Sequence, residues 1–450
     1  MTKNRLINIP NPITNNENEL DRTMTSKPHE NDRTTHRGAT ANAFGVVEPK
    51  HLAAMNALLD KSGVLDKLAA WRDEDARAAG TTTRVALIPE RAILVGLLIL
   101  SNEGHPLLIS SLAYLFQYRL SAASRSFLGL PAANETGADS VREERRWRDN
   151  THRAFHRMLA VMDPFPEGRA RAHSYTEVQR ILVAHDPEQE KIMKGRLNEF
   201  THAFLTTTHM EQPESVRQAI PDRRIILDQF RIESPLRKGF TKSNLEQKVT
   251  NESKTDGWGR EAGPVEVFAG WLIESEPHGP GTADSTETAR NDPRKARSGR
   301  PLWGWDANIA LGIDSKNSSG ARPPLLAVGA TLSMPGDRKS DDSLASAARN
   351  ADFPSASVDR VAVESFIARL KRRSPEGSLT AGQKMGGLAA AQLAVTIQLA
   401  IHNLRTIDAF VRAESDGSTT AKTVRSRRRD HTFPSSTLYA IPTDSALPRM

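Results

Sequence analysis

Cysteine is absent from the chain. Disulfides, zinc-thiolate sites, iron-sulfur clusters and thiol nucleophiles are therefore excluded, and a reducing cytoplasm is the expected home. Long hydrophobic runs are lacking as well. The two most apolar stretches, Ala92 to Leu100 and Leu388 to Ile401, fall short of the roughly 20 residues that cross a bilayer, so both read as buried helices and no membrane partner is expected. The first residues, with Asn15, Asn16, Glu17, Asn18 and Glu19, have no apolar stretch of the signal-peptide kind. A P-loop, a Rossmann glycine fingerprint, an HExxH pair and a Ser-centred nucleophile elbow are all missing.

What is present is a basic excess. The 61 Lys and Arg outnumber the 54 Asp and Glu for a net charge of +7, and the isoelectric point is near 9.6. That balance fits a polyanionic partner such as nucleic acid, and it equally fits an ordinary basic protein. At 450 residues and 38% hydrophobic content the chain is long enough for two folded domains, because single cores rarely grow past roughly 250 to 300 residues.

Residues 1–45 are rich in Asn, Thr, Glu and Arg with little apolar periodicity, which predicts a disordered arm. Residues 46–205 read as a helical domain. Leu52, Met55, Leu58, Leu59, Val64, Leu65 and Leu68 recur at helical spacing with a break at Gly63. Pro89 opens a helix that stops at Ser101 to Gly104, and further helices are expected over Pro106 to Tyr118, Ser121 to Leu128 and Glu143 to Met162.

The pattern changes near Asp222. Arg224 to Phe230 is a short β-branched run around Asp228, and Val265 to Ile273, Trp303 to Ile313 and Leu325 to Leu332 are three more strand candidates. Residues 274–300, dense in Gly, Pro, Ser, Thr and charge, read as a surface loop. Val361 to Arg372 and Leu388 to Phe410 are expected helices. From residue 413 a basic tail with Arg425, Arg427, Arg428 and Arg429 is expected to be disordered, either solvated or touching DNA. The fold class is thus α+β, an N-terminal all-α region followed by a sheet domain over residues 206–412 that ends in helices.

Asp228 carries the sharpest chemical reading, since a carboxylate at the end of an apolar strand needs a charge partner or water. Carboxylates gathered at such a place bind Mg²⁺ and serve phosphodiester cleavage. His202 and His209, seven apart on one helix face, have no paired carboxylate at metal-ligand spacing. Trp303 and Trp305 alternate along a strand and so face one way, which reads as sheet packing.

Several segments, in this order, resemble bacterial insertion-sequence transposases of the aspartate-aspartate-glutamate (DDE) type. HPLLISSLAYLFQYRLSAASRSFLGLP, His105 to Pro131, is similar to the family's N-terminal helical segment, and RIILDQF, Arg224 to Phe230, to the strand bearing its first catalytic Asp. WGWDANIALGID, Trp303 to Asp314, is similar to the next strand. DRVAVESFIARLKRR, Asp359 to Arg373, resembles the helix of the last carboxylate, with Glu364 in its place, and Ala389 to Phe410 resembles the closing helix.

The resemblance implies a ribonuclease H-like mixed sheet, with the first Asp on the first strand, the second after the fourth and the Glu on a following helix. It implies Mg²⁺ or Mn²⁺ held by Asp228 and Glu364, double-stranded DNA as partner, a homo-oligomer on that DNA, and a bacterial cytoplasmic protein. It also exposes a departure. Only Pro335 to Val358 separates the third matched strand from the Glu helix, as an internal deletion would leave it. Asp359 and Arg360 imitate the family's second-carboxylate step, with Asp341, Asp342 and Asp352 as alternatives. Losing that ligand would disable turnover, so a non-catalytic DNA-binding or regulatory derivative is the second expectation. Lys371, Arg372 and Arg373 would contact phosphates or simply end a helix in accord with its dipole. Asn403 and Arg405 read as hydrogen-bonding anchors of the last helix.

Overall fold

Proline, glycine and leucine set the first helices. In the computed structural model, which describes residues 45–82, 86–132, 140–166, 173–214, 223–236, 265–275, 299–314, 325–335, 366 and 385–415, α1 (Pro49–Ser62) opens on a proline that needs no N–H at that position. It closes at Gly63, whose φ of 64° is left-handed and breaks the helix where expected. α2 (Val64–Ala78) continues from there and buries Val64 and Leu68. α3 (Glu90–Glu103) is buried without interruption from Ala92 to Leu100 and ends at Gly104. A helix with no polar face has to lie in the interior.

α4 (Ile109–Tyr114) runs into a π-helical turn, Leu115–Arg119, and α5 (Ala122–Phe127) follows with Ser121 as its cap. The π turn brings Arg119, only 3% exposed, onto Glu103 in a two-pronged ion pair with N···O distances of 2.6 and 2.7 Å. α6 (Ser140–Ala160), α7 (Tyr175–Ala184) and α8 (Pro187–Met210) complete the helical stretch. Ser174 and Glu177 cap α7 reciprocally at 3.2 and 2.9 Å. The Asp186 carboxylate accepts the Glu188 and Gln189 N–H groups at 2.9 and 3.2 Å to start α8.

Four strands form one sheet: β1 (Arg223–Glu233), β2 (Gly270–Ser275), β3 (Gly299–Asp314) and β4 (Leu326–Ser333). β3 is central and every pairing is antiparallel. β1 and β4 both pair with residues 306–312 of β3 and so occupy opposite edges, while β2 continues the β4 edge along residues 299–304. Among the described residues this sheet has no parallel pair, and the isolated parallel bridge between Val47 and Leu120 lies outside it. The second strand begins at Gly270 rather than at Val265 as expected. Residues 265–269 turn instead, because Phe268 is drawn into a stack with Phe165 at 4.2 Å between ring centroids.

α9 (Leu388–Ser415) is buried on nearly every side as far as Leu404, with small residues at Ala389, Ala390, Ala391, Ala394 and Ala400. It packs on α8, α3 and β4 at once. The boundary expected between residues 205 and 206 falls within α8, and one hydrophobic cluster runs from Leu52 and Phe116 through Phe200 to Trp305 and Leu393. An aromatic column ties the helices to the sheet. Trp305 of β3 lies parallel to Phe165 at 6.2 Å, Phe165 stacks on Phe268, and His185 tilts onto Phe268 at 4.7 Å. Among the described residues no helix is long and apolar enough to cross a membrane.

Candidate active site

Asp228 stands directly opposite Ile309 in the β1–β3 register. Residues paired across antiparallel strands share a face, as do residues two apart on one strand. Asp228 therefore shares its face with Phe230 and Ile232, which are 5% and 0% exposed, and with Trp305, Ala307, Ile309 and Leu311. The carboxylate is half-buried, and its Oδ1 accepts the Gln229 N–H at 2.8 Å. An acidic group in an otherwise apolar row is costly unless donors or a cation offset it. It is a hard oxygen ligand of the kind Mg²⁺ takes.

The opposite face of the sheet is polar in its own right. Asp306 of β3 faces Arg231 of β1 at 4.0 Å. Asn308, Thr331 and Ser333 sit beside it, 4%, 4% and 1% exposed. Strand parity puts these groups on the other side from Asp228, so Asp306 is not the second carboxylate of a site built on Asp228.

Of the residues expected to join Asp228, Glu364 and Asp359 lie outside the described residues, as do Asp341, Asp342 and Asp352. The phosphate-contact candidates Lys371, Arg372 and Arg373, the arginines at 425–429, most of the loop 274–300 and the arm 1–44 also lie outside them. From the segment Asp359 to Arg373, Phe366 alone is described. It is helical and fully buried, with its ring edge-on to His402 of α9 at 4.9 Å and 87°. Among the described residues, no group of three or more His, Asp or Glu side chains is arranged to hold a metal ion.

The histidine pair is structural in its surroundings. His202 on α8 hydrogen-bonds the Val328 backbone of β4, and burial pushes its pKa below the ordinary histidine value, an effect that this bond partly offsets. His209 is 8% exposed. Trp303 and Trp305 do share the packed face, and Trp271 of β2 meets Trp303 edge-on at 5.5 Å.

The last helix is anchored as expected for Asn403 and Arg405. Asn403 bonds the backbone of Ala327 and the hydroxyl of Thr208, and the Arg405 guanidinium donates to both oxygens of Asn102 at the end of α3. Gln392 adds a second anchor, accepting the Leu332 N–H at 2.9 Å and donating to Asn198 and Thr201 of α8 at 3.0 and 3.1 Å. Gln392 is not singled out by sequence, because a glutamine in an apolar run looks like a tolerated polar residue until the strand edge beside it is known. No protein-family profile, curated protein or solved structure matches the chain.

Proposed function

We propose that the chain is a DNA transposase of the DDE type with a ribonuclease H-like catalytic domain. The observation that supports this most is the position of Asp228. It lies on the first strand of the sheet, and that strand begins an antiparallel run β1–β3–β4 with Asp228 half-buried on the helix-packed face. This is where a ribonuclease H-like sheet carries its first catalytic Asp. The order of the resembling segments along the chain supports the same reading.

In this reading Asp228 and Glu364 would hold Mg²⁺ or Mn²⁺, which when bound neutralises charge on the attacking and leaving oxygens of a phosphodiester. Water attacks phosphorus at the element's end and the bond from phosphorus to the 3′ oxygen breaks. The 3′ hydroxyl released in this way is then directed at a phosphodiester of target DNA. Gln229 N–H holds the Asp228 carboxylate in one orientation, as a ligand requires. The partner is double-stranded DNA, engaged by a homo-oligomer.

A second reading is a non-catalytic DNA-binding or regulatory protein derived from such an enzyme. The short interval from Pro335 to Val358, which carries no strand-borne second carboxylate in its sequence, favours it. The full chain incubated with duplexes from the DNA flanking its coding region, in Mg²⁺ and in Mn²⁺, separates the two. Metal-dependent nicking, lost in Asp228→Ala and in Glu364→Ala, is expected. Salt-sensitive binding without nicking in either metal favours the derivative, and no binding overturns both.

A further inference from the structure

α6 has one face in the core and one in solvent, and the two differ in charge as sharply as in burial. Trp147, Thr151, Ala154, Phe155, Met158 and Leu159 are all 4% exposed or less and fix the helix against the core. The outer face carries Arg142, Arg145, Arg146, Arg148 and Arg153, all exposed. With a 100° turn per residue, Arg142, Arg145, Arg146 and Arg153 fall within one sector, and Arg148 flanks it. Asp149 is the one carboxylate on that sector. Glu143 and Glu144 are partly buried, Glu143 near one border of the sector and Glu144 on the core-facing side.

The arginines are poorly neutralised. Arg145 approaches Asp149 only to 3.9 Å and Arg146 approaches Glu143 to 3.5 Å, with 77% and 62% of the two arginine side chains exposed. Such pairs contribute little in water. Among the described residues, no ion pair or hydrogen bond involves Arg142, Arg148 or Arg153. Four arginines on one solvent face, with Arg148 exposed beside it, raise a local positive potential that a solvated helix does not need for solubility. Holding long side chains of one sign within reach of each other costs free energy unless an anion collects there.

We propose that this face of α6 is a docking surface for the phosphate backbone of double-stranded DNA. From Arg142 to Arg153 the helix advances about 16 Å at 1.5 Å per residue, the length of roughly five base-pair steps at 3.4 Å each. Guanidinium groups repeated every three or four residues along that length match a polymer with a charge on every nucleotide. Contacts of this kind set position and affinity without reading sequence. The inference rests on the reading of the chain as a DNA-handling protein but not on any catalytic step.

The test is a salt series with the full chain and a random-sequence duplex, followed by fluorescence anisotropy with no divalent metal present. Each phosphate contact contributes about 0.9 to the slope of log affinity against log salt. Replacing Arg142, Arg148 and Arg153 together with Gln is expected to make the slope shallower by about 2.7 and to weaken binding on the order of tenfold or more. Melting temperature and circular dichroism should stay unchanged, because these side chains hold nothing in the fold. The corresponding triple Lys variant should recover most of the slope.

Equal slopes for the wild type and the Gln variant would overturn the assignment of α6 while leaving a DNA-handling function in place. Preference for anionic vesicles over the duplex at matched ionic strength would also overturn it. A wild type that binds no duplex at any salt would overturn both this surface and the reading beneath it. Binding through α6 with no nicking in any metal would sustain this proposal and count against catalysis alone.

Discussion

Asn403 closes the edge of β4 by pairing with both backbone groups of a single residue, Ala327. Its Oδ1 accepts the Ala327 N–H at 2.9 Å and its Nδ2 donates to the Ala327 carbonyl at 2.7 Å. The amide thus does what a neighbouring strand would do, at a site where Asn403 is 0% exposed and water has no access.

Replacing Asn403 with Ala strands the Ala327 N–H and carbonyl in the interior and frees Thr208 of its donor. Buried groups left unpaired in this way cost about 1 to 3 kcal/mol each. The urea midpoint should fall by an amount equivalent to about 2 to 4 kcal/mol. Arg412→Ala, at an exposed i,i+4 pair on the same helix, should shift it by less than about 0.5 kcal/mol. Equal effects from the two substitutions would argue against the edge pairing.

Phe165 carries the aromatic column between the helices and the sheet, with Phe268 and Trp305 both nearly parallel to its ring and the Lys194 ammonium 5.7 Å from its ring centroid. Phe165→Ala should destabilise the chain by about 3 to 5 kcal/mol. It should also quench the near-ultraviolet circular dichroism of Trp305. Phe165→Leu should retain more than half of the stability, because much of the volume remains.

His202 gives the fold a pH dependence of definite sign. Burial holds its folded pKa below the ordinary value of 6.5, so the unfolded chain binds the proton more readily. Stability then declines as pH falls below about 6.5 and levels off once the folded imidazole also titrates. His202→Gln should flatten this part of a stability profile measured by urea denaturation. A profile as steep as that of the wild type would remove His202 as the cause.

Asp228→Asn separates function from fold. The amide keeps an oxygen to accept the Gln229 N–H, so the melting temperature should hold steady or rise, since a charge leaves an apolar row. Metal-dependent nicking should vanish. A large drop in stability would recast Asp228 as part of the architecture.

The strand that holds Asp228 was readable because β-branched residues crowd around one acid, and β3 and β4 were readable because they are nearly unbroken apolar runs. The start of β2 was not. Val265 to Ala269 is as apolar as a strand, and only the distant ring of Phe165 makes Phe268 turn away. The continuity of the core was also hidden. Periodicity shows that α8 and α9 have apolar faces but not that both helices serve the sheet while α8 also packs on α1 and α9 on α3. Asn403 could be read as an anchor because a buried amide must bond something, whereas its partner, one residue on a strand edge, follows only from three-dimensional placement. The helix of α6 was legible, but the gathering of its arginines on one side follows only from knowing which side is buried.

The amides of Gln392 and Asn403 have a directional consequence. By occupying the outer rim of β4 they seal that flank of the sheet with side chains, at Leu332 and at Ala327. Among the described residues, the far side of β1 has no such seal. A further strand joining beside β1 would set its side chains level with Asp228, so a strand-borne carboxylate that meets it on the packed face would arrive along that margin.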